Sequence, residues 1–225
     1  MTREAALFDW DGTLWDSLDA LRSSWQVSTE EVLGRRYPDT PEEEEAVFTL
    51  PGALLWPPLA SSEQQLAALK ARFIEEYLAR TETVDLFPGI GEALAGLHAA
   101  GMGIAVVTAK SRFRFDLAVE AAGLTDIIDV TICFEDSQGA VKPDPAPVLL
   151  ACERLGVAPS RAVMVGDTPV DVEAGLRAGT TAVGVAWGAW TAELLLEAGA
   201  QAVAHHPADL ARLLPQVLAS SAATT

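Results

Sequence analysis

Six short apolar runs, Ala5 to Phe8, Gly103 to Val107, Val130 to Cys133, Ala162 to Val165, Thr181 to Val185 and a weaker Ala202 to Ala204, constrain this chain more than any other feature. They are hydrophobic almost without interruption, which suits strands covered on both faces, and such strands belong to parallel sheets. Between them lie helical patterns, Gly91 to Ala99, Phe113 to Ala122, Pro145 to Leu155 and Val170 to Ala178. Gly101, Gly123, Gly156 and Gly179 stand where each pattern should stop, since glycine accepts the left-handed conformation that ends a helix. The alternation predicts an open α/β fold, a doubly wound parallel-sheet (Rossmann-like) core.

From Asp16 to Leu86 this rhythm fails. Leu18 to Leu33, Pro41 to Leu50 and Ser62 to Arg80 read as helices with no buried-strand run among them, and Tyr37 to Pro41 and Pro51 to Pro58 read as loops. Phe87-Pro88-Gly89 marks the return to the alternating pattern. The expected organisation is therefore a core of residues 1–15 and 87–225 with an inserted α-helical cap domain over 16–86, which a chain of 225 residues can hold around one main core. Ala219 to Thr225 reads as a frayed tail.

The 15 Lys and Arg against 32 Asp and Glu give a formal charge of −17, and the three lysines, Lys70, Lys110 and Lys142, are scattered singly. A nucleic-acid partner needs basic patches, so none is expected. No apolar stretch approaches the roughly 18–20 residues that span a bilayer, and the N-terminus shows no signal-peptide pattern, so no membrane partner and a cytoplasmic location are expected. Cys133 and Cys152 fit neither a disulfide framework nor a zinc pattern and read as buried thiols. His98, His205 and His206 read as helix packing or surface rather than as ligands.

Chemistry gathers where the strands end. Asp9 and Asp11 follow the first run two residues apart, which in strand-like geometry sends both carboxylates to one side. Like charges so placed call for a cation between them or a retained proton. Gly12 allows a tight turn whose amides can face an anion. Asp167 follows the run Ala162 to Val165, with Asp171 one helical turn on. Ligands of parallel sheets collect at the carboxyl ends of the strands, so Asp9, Asp11 and Asp167 should converge there. Carboxylates without a His or Cys cluster favour a hard cation, Mg²⁺ above all. Thr108, at another strand end and followed by Ala109 and Lys110, and Lys142, held by Pro143, would complete a phosphate site. At about 4 Å and an effective dielectric constant near 20, one lysine charge attracts a phosphate charge by roughly 4 kcal/mol.

Together, Asp9-Trp10-Asp11-Gly12-Thr13, Thr108, Lys142-Pro143 and Gly166-Asp167-Thr168-Pro169-Val170-Asp171 resemble the four ordered motifs of the haloacid dehalogenase superfamily of hydrolases. Asp16-Ser17, Phe87-Pro88-Gly89 and Val185-Ala186-Trp187-Gly188 are similar to its phosphoglycolate phosphatase-like subgroup. The resemblance implies Mg²⁺-dependent hydrolysis of a small phosphorylated metabolite. Asp9 would be the nucleophile that forms an aspartyl-phosphate, and Asp11 the general acid and then base. Asp9, Asp11 through its carbonyl, and Asp167 would hold the metal, with Asp171 orienting its shell and Lys142. Trp10, Thr108, Ala109 and Lys142 would hold the phosphate. An acid at position 11 favours phosphoryl over dehalogenase chemistry, and Ala109 departs from the asparagine common in relatives. A phosphomutase on a sugar phosphate uses the same residues, and a non-catalytic binding protein of this fold is the remaining alternative. The cap should select substrate, with Arg22, Trp25, Arg35, Arg36, Trp56, Lys70, Arg72 and Tyr77 as the side chains able to read it. A monomer or homodimer is expected.

Overall fold

The computed structural model describes residues 3–222. Its six strands are β1 (Ala5–Phe8), β2 (Gly103–Val107), β3 (Val130–Ile132), β4 (Ala162–Gly166), β5 (Thr181–Val185) and β6 (Ala202–Ala204). They form one all-parallel sheet in the order β3-β2-β1-β4-β5-β6. The helices are α1 (Leu18–Leu33), α2 (Pro41–Thr49), α3 (Gly52–Leu59), α4 (Glu63–Thr81), α5 (Ile90–Ala99), α6 (Arg112–Ala121), α7 (Ala146–Leu155), α8 (Pro169–Ala178), α9 (Ala192–Glu197) and α10 (Leu210–Ala222). The chain divides into two units, one running to Trp15 and resuming at Leu86, the other Asp16–Asp85.

In the larger unit the sheet is wound on both faces, as the unbroken apolar runs require. Ala5, Leu7, Ala105, Val107, Ala162 and Met164 point to one face and pack with Val148, Ala151 and Cys152 of α7 and Ala174 and Ala178 of α8. Alternate residues such as Phe8, Val106 and Val165 point the other way, where α5 lies on β2 and α10 on β4 and β5. The order of strands reverses between β1 and β4, which pair Phe8 with Val165. This reversal opens a crevice beyond the strand ends. Gly156 and Gly179 close α7 and α8 in the left-handed conformation.

Leu210, Leu214 and Leu218 of α10, four residues apart, are all buried. That stripe carries the helix through Ala222, so the expected fraying at Ala219 does not occur up to that residue, and 223–225 lie outside the described residues. The short α9, set by the Thr191 cap, is a further helix that the apolar pattern alone did not mark.

In the unit Asp16–Asp85, α1 packs along α4. Trp25, Tyr37, Trp56, Phe73 and Tyr77 form a ring cluster with centroids 5.2 to 5.8 Å apart. The expected loop Pro51 to Pro58 is instead α3, which buries Leu55 and brings Trp56 onto Trp25 and Phe73. Its two prolines sit in the last turn, and the packing of that apolar face outweighs the amides they lack. Trp25 and Tyr77 are buried members of this cluster. Several cations of the unit are engaged within it: Arg22 with Glu44, Arg36 with Gln26, Arg72 with Glu31 and Glu76, and Lys70 over the Trp56 ring. Among the described residues no helix is long and apolar enough to cross a membrane.

Candidate active site

Asp9 leaves the end of β1 with its N–H donated to the Val165 carbonyl, 2.9 Å, so it stands directly beside the end of β4. There Asp167 is wholly buried. One of its oxygens accepts the Thr13 hydroxyl at 2.9 Å and the other accepts the Ala189 N–H at 2.9 Å. Asp171 lies in the first turn of α8. The sequence Thr168-Pro169-Val170-Asp171 is a helix-start signal, and the structure forms the reciprocal box: the Thr168 hydroxyl accepts the Asp171 N–H, and the Asp171 carboxylate accepts from Thr168. Asp9, Asp167 and Asp171 each offer an oxygen within 4.8 Å of the others.

A single ammonium enters this acidic cluster. Lys142 sits in a turn before α7 and reaches Asp9 Oδ1 at 2.5 Å, Asp171 Oδ1 at 2.5 Å and the Val107 carbonyl at 3.0 Å. Three partners match its three protons. Burial works against the Lys142 charge, yet Asp171 and Asp9 beside it hold it above its ordinary value. Burial pushes the Asp9 carboxyl well above the usual carboxylate range; Lys142 pulls it back, while Asp171 and Asp167 drive it further up. Burial and the Asp171 charge raise Asp167 to about 7, against the pull of Ala189, Thr13 and Lys142. Once ionised, three buried carboxylates facing one lysine would carry an excess of negative charge, which the raised Asp9 and Asp167 relieve by favouring a proton.

Such an excess is what a cation removes. The donors are all oxygen, a set that suits a hard cation. All three acids offer an oxygen to such an ion; Asp171 is held by the Lys142 ammonium as well as by Thr168, whereas both partners of Asp167, Thr13 and Ala189, are neutral donors.

Glycines make this crowding possible. At Gly188 an added Cβ would stand 2.3 Å from Asp167 Cβ and 2.5 Å from the Gly12 carbonyl oxygen, and at Gly12, with φ +82°, one would stand 2.4 Å from Asp167 Oδ2. Contacts this short are impossible for real atoms, so each position excludes every other residue while Asp167 stays in place.

Asp11 stands apart from the three-acid cluster. The strand ends at Phe8, and the chain then turns, with Gly12 N–H donated to the Trp15 carbonyl and Trp15 bridging to Asp11. The strand geometry that would send Asp9 and Asp11 to one side therefore does not extend past Phe8. The charges crowding Asp9 come from Asp171 and Asp167, while Asp11 Oδ1 is paired with Lys110 Nζ at 2.8 Å. Trp10, between the acids, is wholly buried with its ring against Trp15 and Phe115. That leaves the main chain as the part of Trp10 able to meet a phosphate. Thr108 follows β2, its hydroxyl accepting the Lys110 N–H at 3.1 Å, with Ala109 between them. Thr108, Ala109 and Lys142 line one small cavity of about 10 Å³, room for a single water.

Sequence reasoning gives no role to Thr13, Thr168 or Ala189, and it offers Lys110 as a cation for the phosphate, whereas the structure pairs Lys110 with Asp11. A Thr-x-x-Asp helix start points to Thr168, whereas the others act across the fold and have no local pattern. His98 bonds the Ile127 carbonyl and the His206 N–H donates to Asp209, so both serve packing and capping.

The family described as haloacid dehalogenase-like hydrolase matches residues 6–185. The chain is 34% identical over 189 residues to the pyrophosphatase PpaX of Bacillus velezensis, covering 81% of this chain and 83% of that one. It is 30% identical to the N-acetylmuramic acid 6-phosphate phosphatase of Pseudomonas aeruginosa, over 97% of both chains, and 31% identical to the phosphoglycolate phosphatase of Salmonella typhimurium, over 80% of both. Among solved structures, a predicted phosphoglycolate phosphatase of Haemophilus somnus superposes with a TM-score of 0.82 at 23% identity, over 95% of this chain and 98% of that one, a likeness of fold.

Proposed function

The chain belongs to the haloacid dehalogenase-like hydrolases, and from that premise we propose that it is a Mg²⁺-dependent phosphatase that hydrolyses a small phosphomonoester through an aspartyl-phosphate on Asp9. Residues 1–15 and 87–225 form the catalytic core in this reading and 16–86 the cap. Among the relatives' substrates, a phosphoglycolate-like compound is the favoured one, consistent with the motif wording around Asp16-Ser17 and Phe87-Pro88-Gly89. The observation that carries the proposal is the buried Asp9, Asp167 and Asp171 cluster around Lys142, a site with too much negative charge for its own lysine.

Asp9 and Asp167 would hold the metal by their carboxylates and Asp11 by its main-chain carbonyl. When bound, Mg²⁺ neutralises these acids and draws charge from the phosphate oxygens. Lys142 fixes Asp9 through Oδ1 and places a positive charge beside the phosphate, and Asp171 holds Lys142. Thr108 and the amides of Trp10 and Ala109 take the remaining phosphate oxygens.

In the first step a carboxylate oxygen of Asp9 bonds to phosphorus while the ester P–O bond breaks, and Asp11 gives its proton to the departing oxygen. In the second, water attacks phosphorus, its proton passes to Asp11, and the bond to Asp9 breaks, freeing inorganic phosphate. Transfer to a sugar phosphate instead of water would make the same residues a mutase.

The test is phosphate release from phosphoglycolate, p-nitrophenyl phosphate, N-acetylmuramic acid 6-phosphate and pyrophosphate, with Mg²⁺ or with chelator. Release that needs the metal and ranks the substrates supports the proposal. A folded protein that releases no phosphate from any of them refutes it.

A further inference from the structure

We propose that Lys110 is a positioning residue for Asp11, fixing the rotation of the carboxyl that exchanges the proton. The inference rests on the reading of Asp11 as acid and base, and goes beyond it by giving a role to the one lysine at the strand ends that the site has not yet used.

Lys110 is held both along its main chain and at its ammonium. Its side chain is 1% exposed, whereas the Asp11 side chain it meets is 19% exposed. Its main chain is pinned at both ends: the N–H goes to the Thr108 hydroxyl at 3.1 Å and the carbonyl accepts the Phe134 N–H at 3.1 Å. Its ammonium lies 5.4 Å from the centre of the Trp15 ring, within cation–π range. A buried ammonium is costly unless it is paired, and a chain with three lysines places this one there.

The contact also has direction. Nζ meets Oδ1 of Asp11 at 2.8 Å, which fixes the rotation of the carboxyl about its last bond. An acid that must first give a proton to one oxygen and then take one from a water needs that rotation fixed, because a small misplacement of the reacting oxygen is expensive. Lys110 belongs to the same turn as Thr108 and Ala109, so the segment that meets the phosphate also sets the acid. No titration is required for this role. A surface lysine making one exposed contact would contribute little; here both the main chain and the ammonium are held.

The experiment compares wild type with Lys110→Met, Lys110→Arg, Asp11→Asn and the double variant Lys110→Met with Asp11→Asn, using p-nitrophenyl phosphate and glycerol phosphate with Mg²⁺. Positioning predicts that Lys110→Met lowers kcat by ~10-fold to ~100-fold with KM nearly unchanged, and that Lys110→Arg recovers much of the loss. Added to Asp11→Asn, Lys110→Met should cause no further loss, because its effect runs through that carboxyl. Losses that multiply in the double variant, or a raised KM at unchanged kcat, would mean that Lys110 meets the phosphate itself and would overturn the inference. Wild-type kcat in Lys110→Met also overturns it while leaving the acid–base reading intact. Wild-type kcat in Asp11→Asn would instead sink that reading. Circular dichroism checks folding, and if Lys110→Met does not fold, Lys110→Gln, which keeps a neutral donor, takes its place with the same predicted pattern.

Discussion

Asp167→Asn should make the metal-free protein more stable at alkaline pH and leave it unresponsive to Mg²⁺. In the folded chain Asp167 is raised from its ordinary 3.8 to about 7 by burial and by Asp171. A folded state that keeps a proton the unfolded chain has lost is favoured below the unfolded value and loses that advantage as pH rises through about 7. A displacement of that size corresponds to about 4 kcal/mol at roughly 1.4 kcal/mol per pH unit. Of this, the roughly two units between about pH 5 and the folded value account for about 3 kcal/mol, and for a chain of this length each kcal/mol moves Tm by about 2–4 °C, so the assay should read about 5–10 °C. The assay is thermal unfolding in chelator at about pH 5 and about pH 8, repeated with Mg²⁺. Wild type in chelator should melt lower at the alkaline pH than Asp167→Asn does, and Mg²⁺ should raise wild type there and not the variant. Asparagine retains an acceptor for one of the two donors, Thr13 or Ala189, so at the acidic pH the two proteins should melt close together. If the difference between wild type and Asp167→Asn in chelator did not change with pH, Asp167 would not hold a displaced proton and the reasoning would fail.

Two further outcomes follow from the same cluster. Asp171→Asn removes a charge from Lys142 and should lower kcat by ~10-fold to ~100-fold in steady-state phosphate release while the protein still folds; unaltered kcat would free Lys142 from its dependence on Asp171. Gly188→Ala places a Cβ 2.3 Å from Asp167 Cβ, and should cost about 1–3 kcal/mol in urea unfolding and raise the Mg²⁺ needed for half-maximal activity; normal stability and metal dependence would show that this wall of the site can move.

Much of the larger unit was legible because its signals are local. Five of the six strands are short β-rich runs ended by polar residues or turns, and Asp9, Asp167 and Thr108 were found because they come immediately after such runs. α3 was hidden by Pro57 and Pro58, since local chemistry argues against a helix there and only the packing of Leu55 and Trp56 restores it. The helical continuation past Ala219 depends on Leu210, Leu214 and Leu218 meeting the sheet, which small exposed residues do not announce. At the site, alternation predicts Asp11 beside Asp9, but the strand ends at Phe8 and Asp11 falls in the turn that follows. The partner of Asp11 is Lys110, 99 positions away in the chain, and the donors to Asp167 come from Thr13 and Ala189. Pairings between distant segments have no period in the sequence and become visible only when the sheet order is known.

The central claim is that Asp9 carries the phosphoryl group, and the most direct measurement is a rapid acid quench during turnover of a small phosphomonoester labelled with radioactive phosphorus, with Mg²⁺ present. The account predicts label on the protein that survives acid, is released by hydroxylamine, and is absent from Asp9→Asn, which should fold and lose turnover by at least ~10³-fold. Label retained by Asp9→Asn, or turnover near wild type in that variant, would contradict it.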